Sequence, residues 1–328
     1  MLLECDRLDC KIDMNDHWVD PGYVPPDANR ISLPATHLAA EVATQPDDWT
    51  RAADTAAVHR NLLPVSGERV AVLGCGTSLF MARAFASLRE SAGQGLTDAW
   101  PASAVPTGRE YDRYLVICRS GTTTEVLDAI SALPEAIPRT VISSSPGTPA
   151  LSMAETILIP EVDERSVVQT RFATTTLAIL RWHLGEDLSS AIAQALAVLA
   201  EPDVESLEGV RHAEQIGFVG MGFAAALADE AALKLRESCR SWTDSYLATE
   251  YRHGPISLAG PGRAVWAFGP MVPGLADEIR STGAHFEHRD IDPLAELVRV
   301  HRLCLLRAAD LGLDPDRPRN LSRSVILG

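Results

Sequence analysis

The residues best suited to chemistry lie in one stretch, Gly220–Pro255, which reads GMGFAAALADEAALKLRESCRSWTDSYLATEYRHGP. It opens on a glycine turn, runs into a helix carrying Glu230, Lys234 and Glu237, and passes through an irregular segment to His253. The i, i+4, i+7 spacing puts the three charged residues on one helix face. Glu230 can hold the Lys234 ammonium beside Glu237, and a carboxylate with an imidazole are the parts of a proton-transfer site. The same spacing also describes a solvated helix face, and these residues alone leave both readings open.

The elements that would position a substrate precede this stretch. Val70–Leu73 reads as a buried parallel strand; the turn Gly74-Cys75-Gly76-Thr77-Ser78 follows, and a helix continues from Leu79. A strand, a glycine turn and a helix aim backbone amides at an anion, although a tight turn without any ligand looks the same. The layout repeats with the strand Tyr114–Ile117 and the turn Ser120-Gly121-Thr122-Thr123-Thr124. Ser120, Thr122 and Thr123 can each be an N-cap, but so many hydroxyls around one glycine exceed what a cap needs. The P-loop pattern G-K-[ST] is absent, so a small phosphate monoester fits better than a nucleotide.

Strands at Arg139–Ser145 and Glu155–Pro160 and a helix from Phe172 to Leu184 continue the alternation. Such a chain forms a parallel sheet with helices on both faces, binding ligands at its strand C-termini. After a charged connection at 201–210 the pattern restarts: strand Ile216–Val219, turn Gly220-Met221-Gly222, helix Phe223–Glu237. The expected organisation is an irregular arm (1–33), a phosphate-binding unit (34–200), a unit with the acid/base residues (201–313) and a C-terminal arm (314–328). In that last arm Arg317, Arg319 and Arg323 stand out, because the chain of 328 residues carries a net charge of −15.

That charge argues against nucleic acid or an anionic membrane surface as partner. The chain has no 18-residue apolar run and no apolar leader, which leads us to expect a cytoplasmic protein. Its six cysteines are scattered. Cys5 and Cys10 are close enough in sequence to share a metal, but free thiols are the better reading, and neither a metal nor a cofactor is expected. Met14 is a second candidate start.

Taken in order, Gly74-Cys75-Gly76-Thr77-Ser78, Ser120-Gly121-Thr122-Thr123, Glu230–Glu237, His253-Gly254-Pro255 and Pro318-Arg319-Asn320-Leu321 resemble the sugar-isomerase (SIS) family. Within it they are similar to the isomerase half of glutamine-dependent glucosamine-6-phosphate synthases and to stand-alone amino-sugar-phosphate deaminases. The resemblance covers about residues 35–328. It implies an α/β fold of two similar SIS-type, flavodoxin-like, three-layer αβα units with mostly parallel sheets. It implies a phosphosugar substrate whose phosphate is held by Thr77, Ser78, Ser120 and Thr123, within a wider substrate-binding set that includes Gly76 and Thr122. The sugar would be lined by the backbone around Cys118–Arg119 and Val167, with Gln169. Glu237 matches the base that moves a proton between C1 and C2. His253 matches a ring-opening histidine that reaches over from a second subunit, so a homodimer is implied. Glu230 and Lys234 match charged residues packed beside the base.

The departures shape the expected reaction. No glutamine-hydrolysing module precedes the first unit, so release of ammonia from glutamine is not expected. The lysine of the family's C-terminal motif is Arg323 here; arginine stays protonated and forms no Schiff base, but it can hold an anion or an enolate oxygen. The expected activity is that of a hexosamine 6-phosphate isomerase or deaminase. Dehydration of an N-acetylhexosamine 6-phosphate by loss of the C3 hydroxyl, or phosphosugar sensing without catalysis, are the alternatives.

Overall fold

A computed structural model describes residues 35–202 and 206–327. The expected N-terminal arm and the Cys5/Cys10 pair lie outside the described residues. In chain order the elements are α1 (His37–Val58), β1 (Val70–Gly74), α2 (Thr77–Ser91), β2 (Thr97–Pro101), β3 (Arg113–Ile117), α3 (Thr124–Ala132), β4 (Arg139–Ser143), β5 (Glu155–Leu158), α4 (Arg171–His183) and α5 (Ser189–Ala200). Then follow α6 (Glu208–Arg211), β6 (Gln215–Gly220), α7 (Phe223–Cys239), β7 (Trp242–Leu247), β8 (Ala264–Phe268), α8 (Leu275–Ser281), β9 (His285–His288) and α9 (Pro293–Asp310).

The strands form two sheets, ordered β2-β1-β3-β4-β5 and β7-β6-β8-β9, and every pairing is parallel. The first order is the flavodoxin-like one, and the second repeats it one strand short. In such sheets the order in which strands are added reverses between the first and third strands, leaving a crevice at their C-terminal ends. For the first sheet that crevice lies between the turns at Gly74–Ser78 and Cys118–Thr123.

Alternate residues of each strand go to opposite faces. Val70, Val72, Leu115 and Ile117 join Ile216, Phe218, Trp266 and Phe268 of the second sheet in one continuous core. The opposite faces are covered separately, with Leu73 and Val116 under α3 residues Val126 and Ile130, and Val265 and Ala267 under Leu275 and Ile279 of α8. Between the sheets α2 and α7 pack antiparallel. Thr77 meets Glu230 and Lys234, Arg83 meets Asp229, and Ser87 lies 3.6 Å from where a side chain on Gly222 would start.

The two glycine turns share one geometry. A Cβ on Gly74 would stand 2.6 Å from the backbone of Ser78, and one on Gly220 2.5 Å from that of Ala224, so only glycine lets strand and helix approach this closely. Gly76 and Gly222 then take left-handed φ values of 54° and 56°.

Two strands escape the sequence pattern. The segment between α7 and His253 is not irregular throughout, because Trp242–Leu247 forms β7, and Thr97–Pro101 forms β2. Both are edge strands, each paired on one side only, so neither shows the continuous apolar run of a central parallel strand. Asp229 pairs with Arg83 at 3.2 Å and accepts from Ser245 Oγ at 2.7 Å.

The C-terminal segment is held against the first sheet's end of the molecule. The Asp316 carboxylate accepts from the His37 and Leu38 amides at the N-terminus of α1, each at 2.7 Å. A carboxylate there satisfies orphan N–H groups and meets the positive end of the helix dipole. Asp316→Ala is expected to cost about 1–2 kcal/mol in urea denaturation, by the magnitude of a lost cap, and to speed tryptic cleavage at Arg317 and Arg319. Unchanged stability and cleavage would show that the carboxylate does not anchor the tail.

Candidate active site

The Lys234 ammonium lies at the α2–α7 interface with its side chain 1% exposed. It donates to Glu237 Oε2 at 2.5 Å and to Thr77 Oγ1 at 3.0 Å, and it lies 3.4 Å from Glu230 Oε1. Thr77 in turn donates to Glu230 Oε1 at 3.2 Å. Glu230, Lys234 and Glu237 therefore share a helix face, as their spacing requires, and that face is buried rather than solvated. Thr77 stands with them, its hydroxyl used on both sides.

Burial pushes the Glu230 carboxyl up to about 8, with the Glu237 charge adding to it and Lys234 opposing. Burial lowers Lys234, but the two carboxylates outweigh it and its ammonium ends above the usual lysine range. Glu230 Oε2 is buried without a hydrogen-bond partner, which suits a carboxyl that carries its own proton. His301, on the α9 side, is buried and held neutral, pushed down to about 3 by burial and by Lys234.

The hydroxyl cluster forms at the crevice of the first sheet. Ser78, Cys118, Arg119, Ser120, Thr123, Gln169 and Arg323 line a cavity of about 30 Å³. Thr123 is the N-cap residue of α3, yet its side chain makes no capping bond, so its hydroxyl is not spent on the helix end. Cys118 Sγ lies 3.9 Å from both Ser120 Oγ and Thr123 Oγ1. Gln169 Oε1 is buried and unpartnered. Gly76 turns the chain into α2, and Thr122 stands at the rim.

Ser324, in the tail, escaped the sequence reading. Its Oγ accepts from Thr122 Oγ1 at 2.9 Å and Ser120 Oγ at 3.1 Å and lies 3.4 Å from Thr123 Oγ1. Val325 O accepts from the first helical amide of α3, Thr124, at 3.1 Å. The tail thus uses the groups that an anion would use. The signal available in the sequence was the hydroxyls flanking Arg323 in Ser322-Arg323-Ser324.

Arg119 is a clamp. Its side chain is 1% exposed and reaches Glu164 Oε2 at 3.0 Å, and the carbonyls of Ser166, Val167 and Arg323 at 3.2, 2.9 and 3.2 Å. Val167 also donates its amide to Asp316 O at 3.1 Å. Arg323 binds the Asp163 carboxylate and the Glu164 carbonyl, with Ser145 Oγ at 3.3 Å.

Glu237 does not line the hydroxyl cavity. It faces a separate groove of about 330 Å³ that it shares with Arg236, Arg240 and tail residues Arg319–Leu321. Thr77 and Lys234 link the two places. His253 lies exposed on the loop after β7, and among the described residues its ring makes no hydrogen bond. Within one chain it is not brought to Glu237.

A folded-state value near 8 for Glu230 means that its contribution to stability is full below the ordinary carboxyl range, near 4.5, and is lost as pH rises through 8. Glu230→Gln cannot ionise. Its stability relative to the parent is therefore expected to rise between pH 6 and pH 9 in urea denaturation. A difference that is flat with pH, or that moves against the variant, would refute a raised Glu230.

No family model matches the chain. Its relatives include the glutamine–fructose-6-phosphate aminotransferases (isomerizing) of Methanothermobacter thermautotrophicus, 27% identical over 303 residues, and Tropheryma whipplei, 28% identical over 318 residues. Each match takes in 79% of this chain, and the chain spans about half the length of these relatives, 51% and 52%. Among solved structures, Thermotoga maritima glucosamine-6-phosphate deaminase superimposes with a TM-score of 0.72 at 22% identity, over 89% of this chain and 100% of that one. Escherichia coli tagatose-6-phosphate ketose/aldose isomerase gives 0.75 at 18%, over 92% and 99%. Among the described residues no helix is long and apolar enough to cross a membrane. The fold and these relatives bear out the resemblance to the sugar-isomerase (SIS) family that the order of the motifs carries.

Proposed function

We propose that the chain is a hexosamine 6-phosphate isomerase or deaminase in which Glu237 moves a proton between C1 and C2. The observation that carries this reading is the buried Lys234, which joins Glu237 to the turn after β1. That turn borders the hydroxyl cluster at the sheet crevice. The relatives' names fit, since they include a fructose-6-phosphate aminotransferase and a glucosamine-6-phosphate deaminase.

In this mechanism the phosphate is held by Ser78, Ser120 and Thr123 and by the N-terminus of α3. His253 of a second copy assists ring opening, which gives the exposed, unpartnered imidazole a use and makes the working form a homodimer. Glu237 takes the C2 proton and returns it to C1, and Lys234 orients the carboxylate before the first step and receives it again after the second. From an amino sugar this leaves a C2 imine, which water hydrolyses to the ketose phosphate and ammonia. Arg323 stays protonated beside the cavity and supplies positive charge rather than a Schiff base. The unbridged Cys75, Cys118, Cys239 and Cys304 suit a reducing, cytoplasmic setting.

Incubation in D₂O with glucosamine 6-phosphate, fructose 6-phosphate and N-acetylglucosamine 6-phosphate separates the branches. Deuterium at C1 or C2 with ammonia release marks deamination; deuterium alone marks isomerisation. Loss of water from the N-acetyl sugar marks dehydration, and binding without exchange marks a sensor. Glu237→Gln is expected to slow exchange by about 10²–10⁴-fold, the range for a lost general base, with sugar affinity within a few-fold; persisting exchange would put the base elsewhere.

Phosphate and Ser324 compete for the same hydroxyls. Ser324→Ala is therefore expected to tighten inorganic phosphate binding several-fold in calorimetry. Weaker binding would make Ser324 a ligand rather than a competitor.

A further inference from the structure

The groove beside Glu237 is more basic than proton transfer requires. Arg236, Arg240 and Arg319 line it with Glu237 as the carboxylate among its lining residues, in a chain whose net charge is −15. Arg236 is tied to β7, donating to Thr243 O at 3.0 Å. Arg240 and Arg319 differ from it, since neither guanidinium has a hydrogen-bond or ion-pair partner among the described residues. Most other arginines among the described residues are paired, including Arg119, Arg181, Arg211 and Arg299.

The backbone gives an independent observation. Among the described residues, those other than glycine with positive φ are Arg240 at 56° and Asn320 at 65°, and both line this groove. Arg240 ends α7 in the left-handed conformation, a position that glycine usually takes because any Cβ there is strained. A chain that keeps arginine where glycine would be relaxed has a use for the side chain, and strain of this kind gathers at functional sites. Leu233 and Leu321 complete the walls with apolar surface.

We propose that this groove is a second anion subsite, in which Arg240 and Arg319 take a carboxylate borne by the substituent at C1 or C2 of the sugar. The inference rests on the phosphosugar reading above and narrows it: the preferred substrate carries two anionic groups, the 6-phosphate at the first sheet's crevice and a carboxylate beside Glu237. Arginine suits the task, because its planar fork matches a carboxylate in a bidentate pair. A carboxylate held there fixes the reacting carbons against the base from the side opposite the phosphate, which turns binding energy into orientation.

Titration calorimetry of the full chain with N-acetylglucosamine 6-phosphate and N-succinylglucosamine 6-phosphate isolates the carboxylate, since both are amides and only the second ends in an anion. The succinyl sugar is expected to bind about 10-fold tighter or better, the size of a charged hydrogen bond, with the advantage shrinking in high salt. The double variant Arg240→Ala/Arg319→Ala should erase the advantage and leave the acetyl sugar's affinity within two-fold. Equal affinities in the parent, or a preference that survives the double variant, would overturn the subsite while leaving the phosphosugar reading intact. Failure of both sugars to bind would sink that reading and this one with it.

Arg240→Gly separates function from structure. Relief of the left-handed strain should raise the denaturation midpoint while the succinyl preference falls. A lower midpoint, or dissociation of a dimer on gel filtration, would instead mean that Arg240 serves the fold or a second copy of the chain.

Discussion

The structure turns on one buried ammonium. Taking a lysine out of water costs several kcal/mol unless charges and hydrogen bonds replace the lost solvent. Lys234 meets that condition with Glu230, Glu237 and Thr77. Two of these partners lie on its own helix and the third opens α2 in the other half of the molecule. The pairing therefore works only when α2 and α7 pack in one register. The same cluster holds the turn that follows β1 against the carboxylate proposed as base, so the electrostatics that permit burial also set the distance between the two. Glu230 carries the cost, pushed up to about 8 by burial. Glu237 is the member of the cluster left partly open to solvent, at 20% exposure.

A second constraint comes from the chain end. Asp316 holds the tail to α1, and Arg119 clamps it to the loop containing Glu164 and Val167. The Glu164 carboxylate is itself fully buried and also accepts from the Thr170 amide at 2.6 Å. Removing either member of the Arg119–Glu164 pair would strand a buried charge, a loss of about 3–5 kcal/mol for pairs of this kind. The guanidinium is thus committed to protein atoms, and the Arg119 carbonyl likewise accepts from Ser143 Oγ at 3.0 Å and from the Ser144 amide at 3.3 Å.

Much of this was legible because it is local. Glycine turns after apolar strands, hydroxyls in excess of capping needs and three charges on one helix face are statements about neighbours in sequence, and the structure keeps them together. Edge strands β2 and β7 were not legible, since a strand paired on one side needs no apolar run. Nor was Ser324, whose partners are some 200 residues away, at |i−j| of 201 to 204. Thr77 belongs with them: read as a phosphate hydroxyl, it turns out to be shared by Lys234 and Glu230. No sequence window contains that contact, because it depends on how two helices from different halves pack. Residues 203–205, within the charged connection between the halves, lie outside the described part.

The tail joins the two places that the proposed chemistry needs. Arg319–Leu321 wall the groove of Glu237, and three and four residues after Leu321, Ser324 and Val325 bond to the hydroxyls and the α3 amide. The adjoining cavity, lined by Ser78, Ser120, Thr123 and Arg323 among others, measures about 30 Å³. Under the proposed function, a phosphate would compete with Ser324 for the hydroxyls of Ser120 and Thr122. The tail thus borders both places, although the groove of Glu237 and the hydroxyl cavity share no lining residue.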